Sequence, residues 1–161
     1  MLSVFDHLAL HPFLADLPAE DLHRLSRRAR RVMWPVNRRL FRAGGPAERF
    51  WLLHAGEVVL DMDIPGRGDV VIERIRAGSV LGWSWLLPPR RWATGAVAGE
   101  VCQAIEFDAN CVRALMARDD RLARDLSTRF LAVVAGRLQA DRRRLVELYS
   151  PISLRAEADR R

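Results

Sequence analysis

The sequence predicts a mainly β domain with flanking helices. Three observations carry this. Between about residues 30 and 108, apolar residues come in short runs split by glycine- and proline-bearing turns. Ahead of that block leucines recur at helical spacing, and behind it helical spacing returns and persists to about residue 149. The chain has 161 residues, long enough for one domain to bury its own core.

The N-terminal helices are placed in residues 1–29. In "HPFLADLPAEDLHRLSRRARRV", Leu17, Leu22 and Leu25 share a helical face. Asp16 or Pro18 starts that helix, with acids in its first turn. "SRRARR", residues 26–31, closes it with cations where the helix dipole favours them.

The strands occupy residues 30–108. "RVMWPV" and "RRLFRAGG" come first, the second ending in a Gly-Gly turn. "RFWLLHAG" and "EVVLDMDI" split at Ala55-Gly56, and "PGRGD" is a hairpin tip. "VVIERIRAGSVLG" is a strand ending in a turn, and "WATGAVAGEVCQAIEFD" holds two more. Seven or eight strands at this spacing form a barrel or sandwich.

Helices return over residues 109–149. Asp108 caps "ANCVRALMAR", and Asp119 or Asp120 opens a long helix that reaches about Tyr149. Along it Leu131, Leu138 and Leu145 lie seven apart, as do Val134, Asp141 and Leu148. This is a short a/d seam suited to a homodimer through residues 120–149, or to a partner protein's helix, with polar Asp141 interrupting it. Ser150-Pro151 is expected to stop the helix, leaving 151–161 as a polar tail. Residues 1–150 therefore read as one domain.

Composition excludes several classes. Half the residues are apolar and 29% charged, as in globular proteins. No apolar run reaches the ~18–20 residues of a membrane helix. The N-terminus lacks a basic start and clean apolar core, so no signal peptide is expected and the expected location is cytoplasmic. Cys102 and Cys111 are too few for a disulfide scaffold. His7, His11, His23 and His54 show no metal-binding spacing, and although His7 and His11 sit four apart no third ligand is evident. The net charge is +6 and the chain contains no lysine, a compositional bias that weakens any reading of individual arginines as chosen for their fork geometry.

The stretch "GWSWLLPPRRWATGAVA", residues 82–98, concentrates the unusual chemistry, with three of the five tryptophans. Catalysis finds no support there. Ser84 follows Gly82 by two, but Leu86 breaks the G-x-S-x-G elbow, and no histidine base lies nearby in sequence. Anion binding fits better. Gly82 ends a strand, residues 83–87 suit one short helical turn, and Pro88-Pro89 stop it. Backbone N–H groups at such a turn converge on an anion, and Arg91 follows to close over a phosphate.

The order of elements, with this loop between late strands, resembles the cyclic nucleotide-binding domain. "LFRAGGPAERFWLLHAGEVVL" is similar to the family's glycine, hydrophobic-pair, G-x-V stretch, through Gly44, Gly45, Gly56 and Val58. "GSVLGWSWLLPPRRWATGAVA" is similar to its phosphate-binding cassette. The resemblance implies a double-stranded β-helix (a jelly-roll, cupin-like barrel) with short N-terminal helices and a long C-terminal one, as in Crp/Fnr-like effector domains. It further implies a non-enzymatic ligand-sensing module for cAMP, cGMP or another anionic ligand. Gly82 matches the cassette glycine, Arg91 the phosphate arginine, and Ala93 and Thr94 the small residues after it. Trp83, Ser84 and Trp92 complete the loop. Asp141 and Arg142 fall where some members contact the base. Twelve residues follow Tyr149, so no helix-turn-helix and no direct sequence-specific DNA binding are expected.

One departure is chemical. The family's cassette acid, which accepts from the ribose 2′-hydroxyl, is here Trp83, and an indole offers only an N–H donor. A buried hydroxyl without its acceptor costs about 1–3 kcal/mol, roughly tenfold to a few hundredfold in affinity. A second reading follows from it: a ligand-free interaction or dimerisation module whose pocket the tryptophans fill. A third, a haem or gas sensor, would use His54 or a cysteine as axial ligand.

Overall fold

The computed structural model describes residues 1–158. The chain divides into two compact units, Met1–Ala123 and Arg124–Arg161.

The first unit opens with α1 (Val4–Leu10), which Ser3 caps. The Ser3 side chain accepts from the Asp6 N–H while Asp6 accepts from the Ser3 N–H, a reciprocal capping box. A short 3-10 turn (Pro12–Leu14) leads to α2 (Ala19–Ser26), which starts after Pro18 as expected. The C-terminal end differs from expectation. Arg27 and Arg28 form the cap and turn, while Arg30 and Arg31 already belong to the first strand. Arg28 reaches back to the Arg24 carbonyl at 2.8 Å, which satisfies a helix-end acceptor and lets the chain leave early.

Eight strands follow: β1 (Ala29–Trp34), β2 (Arg39–Phe41), β3 (Arg49–Ala55), β4 (Glu57–Ile64), β5 (Gly68–Arg76), β6 (Val80–Leu81), β7 (Gly95–Ala98) and β8 (Cys102–Asp108). The pairing is nested: β1 with β8, β2 with β7, β3 with β6 and β4 with β5, all antiparallel. A long hairpin with its tip between β4 and β5 is thus wound on itself. The result is two four-stranded sheets, β1-β8-β3-β6 and β2-β7-β4-β5, the jelly-roll order. The sheets stay open and do not close into a barrel. Leu52, Leu53, Val58, Leu81, Ala96, Ile105 and Phe107 are buried in this core.

β5 is an outer strand of its sheet. Val70 and Val71 are exposed on it, beside Asp69, Arg74 and Arg76. The guanidiniums of Arg74 and Arg76 both reach the Glu57 carboxylate on β4, at 2.6 and 3.5 Å.

The sheets end at α3 (Ala109–Arg118). Asp108 caps it as expected, accepting from the Cys111 N–H at 3.1 Å. Asp119 then accepts from the Leu122 N–H at the start of α4 (Asp120–Ala158). α2 is tied to this turn by charge. Asp21 is fully buried and accepts from Arg24 at 3.2 Å and Arg121 at 2.7 Å, while Arg24 also reaches Asp119 at 2.7 Å.

The second unit is the body of α4. Leu131, Leu138, Leu145 and Leu148 of the expected seam are all exposed. The helix does not stop at Ser150-Pro151 but runs to Ala158, so most of the expected tail is helical and only 159–161 lie outside the described residues. Proline removes one backbone hydrogen bond of a helix. That local loss does not end this one.

Candidate functional site

β6 delivers the chain to Gly82, whose φ of +89° lies in the left-handed region that glycine adopts without strain. Six of the expected site residues, Gly82, Trp83, Ser84, Arg91, Trp92 and Ala93, lie on this one loop. The short helical turn expected over 83–87 is absent. One turn hydrogen bond, from the Leu86 N–H to the Trp83 carbonyl, replaces it. The reason is local. Helical bonding would have the Ser84 and Trp85 carbonyls accept from residues 88 and 89, both prolines without an N–H. Arg113 of α3 occupies the Trp85 carbonyl instead, at 2.8 Å. The Trp85 ring is fully buried and stacks on Phe50 at 4.8 Å.

The loop returns by pairing with the Gly44-Gly45-Pro46 turn. The Trp92 N–H donates to Gly45, the Gly44 N–H to Trp92 and the Ala47 N–H to Arg90, all between 2.8 and 2.9 Å. Arg91 and Pro46 form an isolated bridge between them. Strand-like alternation then sends neighbouring side chains apart. Arg91 is exposed, and its Nη1 donates to the Gly44 carbonyl at 2.8 Å. Among the described residues no carboxylate pairs with it. Arg90 is exposed beside it, and burial, followed by the charge of Arg90, lowers the pKa of Arg113 behind the loop. Ala93 is exposed and Trp83 half-buried.

Trp92 is turned inward and 7% exposed. It stacks on Phe41 at 3.9 Å and lies 5.9 Å from Trp51, whose Nε1 donates to Glu106 at 2.8 Å. A Cβ added to Gly82 would stand 2.9 Å from the Trp92 ring. The indole therefore presses on the glycine itself. The sequence marks Trp92, but not Phe41 and Trp51, which arrive from β2 and β3. Asp141 and Arg142 belong to the second unit, where both are exposed and Asp141 lies 3.8 Å from Arg144.

Two cavities lie away from this loop. One, of about 310 Å³, is lined by Arg27, Arg28, Arg30 and Arg49. Its Arg30 and Arg49 are already paired with Glu106, at 2.6 and 3.3 Å. The other, of about 250 Å³, includes His7 and His54. Sequence spacing joins His7 to His11 but gives no sign of His54, which the fold brings to both. The His54 ring lies 4.7 Å from His7 and 5.1 Å from His11. His11 accepts from the Phe13 N–H at Nδ1, and its Nε2 donates to the Leu53 carbonyl, which fixes a neutral tautomer. Burial pushes the His11 pKa down against that bond. Burial, then the charges of His11 and His7, push His54 down to about 4. No group of three or more metal-ligating side chains forms a metal site among the described residues. Likewise, no described helix is long and apolar enough to cross a membrane.

A family model described as "Cyclic nucleotide-binding domain" matches residues 31–119. A comparison with curated proteins returned no match. Among solved structures, the chain is similar to a putative cyclic nucleotide-binding protein from Geobacter metallireducens GS-15, with 22% identity and a TM-score of 0.77 over 86% of this chain and 99% of that one. It is also similar to a cyclic nucleotide-binding domain from Methylobacillus flagellatus KT, with 20% identity and a TM-score of 0.73 over 89% and 79% of the two chains. The catabolite activator protein of Thermus thermophilus matches at 21% identity and a TM-score of 0.67, over 85% of this chain and 62% of that one.

Proposed function

This chain belongs to the cyclic nucleotide-binding domain family, and from that premise we propose that residues 1–150 form a non-enzymatic, cytoplasmic regulatory module sensing an anionic ligand at the loop of residues 82–94. The ligand is cAMP, cGMP or another phosphate-bearing small molecule. Arg91 is its anchor. Gly82, Trp83, Ser84, Trp92 and Ala93 supply the rest of the loop. Ligand binding would shift the population of arrangements of the long helix and so alter a homodimer or partner interface along residues 120–149.

The observation that carries this reading is the state of Arg91. Its guanidinium is exposed, no described carboxylate neutralises it, and one N–H on the Gly44 carbonyl holds it in place with other donors to spare. A fixed guanidinium suits a phosphate's paired oxygens.

A second reading rests on Trp92. Its ring packs against Gly82 and on Phe41, occupying space beside the glycine. On that reading the module is ligand-free and acts through protein contacts alone.

Calorimetric titration with cAMP and cGMP, beside an Arg91→Ala variant, separates the two. Micromolar binding that the variant abolishes supports the anionic-ligand reading. Absence of heat with both nucleotides refutes cyclic nucleotide binding and favours the packed pocket.

A further inference from the structure

The smaller cavity gathers groups that the loop does not use. It opens along three cross-strand pairs of β1 and β8, Arg31 with Ile105, Val32 with Ala104 and Met33 with Gln103. His7 of α1, His54 of β3 and Gln103 of β8 complete its polar side. At about 250 Å³ it lies below the ~300–1,000 Å³ of drug-sized sites, so its occupant is small.

His54 holds an unusual place in the ladder. β3 pairs with β8 through Leu53–Ala104 and Ala55–Gln103, with a register slip between them. His54 is therefore the extra residue of a bulge, a device that re-aims a side chain. Its Nε2 is buried without a hydrogen-bond partner. Such atoms are rare in folded chains and call for a partner. The neighbouring His11 supplies none, because both its ring nitrogens are engaged.

The charge at the cavity selects the sign of the occupant. Arg31 is exposed at its rim, and among the described residues no carboxylate pairs with it. A metal cation would meet that guanidinium with two histidines at most to hold it, since His11 is engaged. An anion would meet an unneutralised guanidinium, an imidazole nitrogen lacking a partner and the Gln103 amide. The remaining wall, from Met33 and Ile105 on the sheet face that Arg31 and Gln103 share, is apolar.

We infer that this cavity is a second ligand site, distinct from the loop of residues 82–94, which takes a small carboxylate on a short apolar body. Arg31 pairs with the carboxylate, His54 and Gln103 hydrogen-bond to it, and Met33 and Ile105 receive the apolar part. The inference stands independently of what the loop binds.

Titration of the full chain with benzoate, followed by calorimetry at neutral pH, tests it. Uncharged benzamide serves as the control, and Arg31→Ala, His54→Leu and Arg91→Ala as the variants. Benzoate is expected to saturate one site. Arg31→Ala and His54→Leu should each weaken it by about tenfold or more, benzamide should bind about tenfold more weakly, and Arg91→Ala should change nothing. Absence of saturable benzoate binding overturns the inference. So does affinity retained in either cavity variant, benzamide binding as tightly as benzoate, or loss of binding in Arg91→Ala, which would place the anion at the loop instead.

Discussion

Acid should loosen this fold through His54. Burial and two neighbouring imidazoles hold its pKa at about 4 in the folded chain, against an ordinary 6.5. Between those values the unfolded chain binds more protons than the folded one. Stability is therefore present above pH 6.5 and is lost as pH falls toward 4. Taken whole, the difference amounts to about 2 kcal/mol by pH 5. The ring is only half-buried, and solvent screening brings this to about 1–2 kcal/mol. His11 shifts in the same direction and adds to the wild-type loss. The assay is urea unfolding near pH 7.5 and near pH 5, for wild type and His54→Leu. The wild type should lose about 1–2 kcal/mol more than the variant between the two conditions. Equal losses in both proteins would refute the placement of a neutral His54 in the folded state.

The remaining predictions address packing, charge and assembly. Gly82→Ala puts a Cβ 2.9 Å from the Trp92 ring at a backbone φ of +89°. It should cost about 2–3 kcal/mol in urea unfolding, and near-wild-type stability would show that the indole does not press on this glycine. Arg24→Ala removes one partner of the fully buried Asp21 and frees Asp119. A loss of about 2–4 kcal/mol is expected in urea unfolding, and an unchanged stability would refute this pairing as a brace for Asp21. Leu138→Glu places a charge in the exposed leucine seam of α4. Sedimentation should find a wild-type dimer and a monomeric variant, whereas a wild-type monomer would refute self-association through this seam.

The strands were legible because the signals for them are local. Glycine turns at Ala55-Gly56 and in "PGRGD" bound the apolar runs, of which β3 buries four consecutive residues, Phe50 to Leu53, and β4 alternates only over its first half. Asp108 is likewise a cap that any helix start would use. The Ser3–Asp6 capping box was local too, a readable signal for α1 that the apolar character of the segment hid. The loop of residues 82–94 was located by its glycine, prolines and arginine, but its conformation was not. Two prolines deny donors to the carbonyls of a helical turn, and Arg113, distant in sequence, supplies one. The inward turn of Trp92 depends on Phe41 and Trp51, which come from other strands. His54 was the least legible of all. One residue of register slip sets its place, and register is a property of paired strands.

The outer position of β5 bears on colloidal behaviour. An unpaired strand edge offers N–H and C=O groups to any second copy, and Val70 and Val71 would let such a contact dry out. Charge guards this edge. Asp69, Arg74 and Arg76 line the strand, and the two arginines share the Glu57 carboxylate, so a second β5 arriving antiparallel must strip water from ions before it forms a single ladder bond. The same ion pairs that brace β4 against β5 thus act as gatekeepers against edge-to-edge aggregation, and they are weakest in concentrated salt, where screening removes their long-range repulsion.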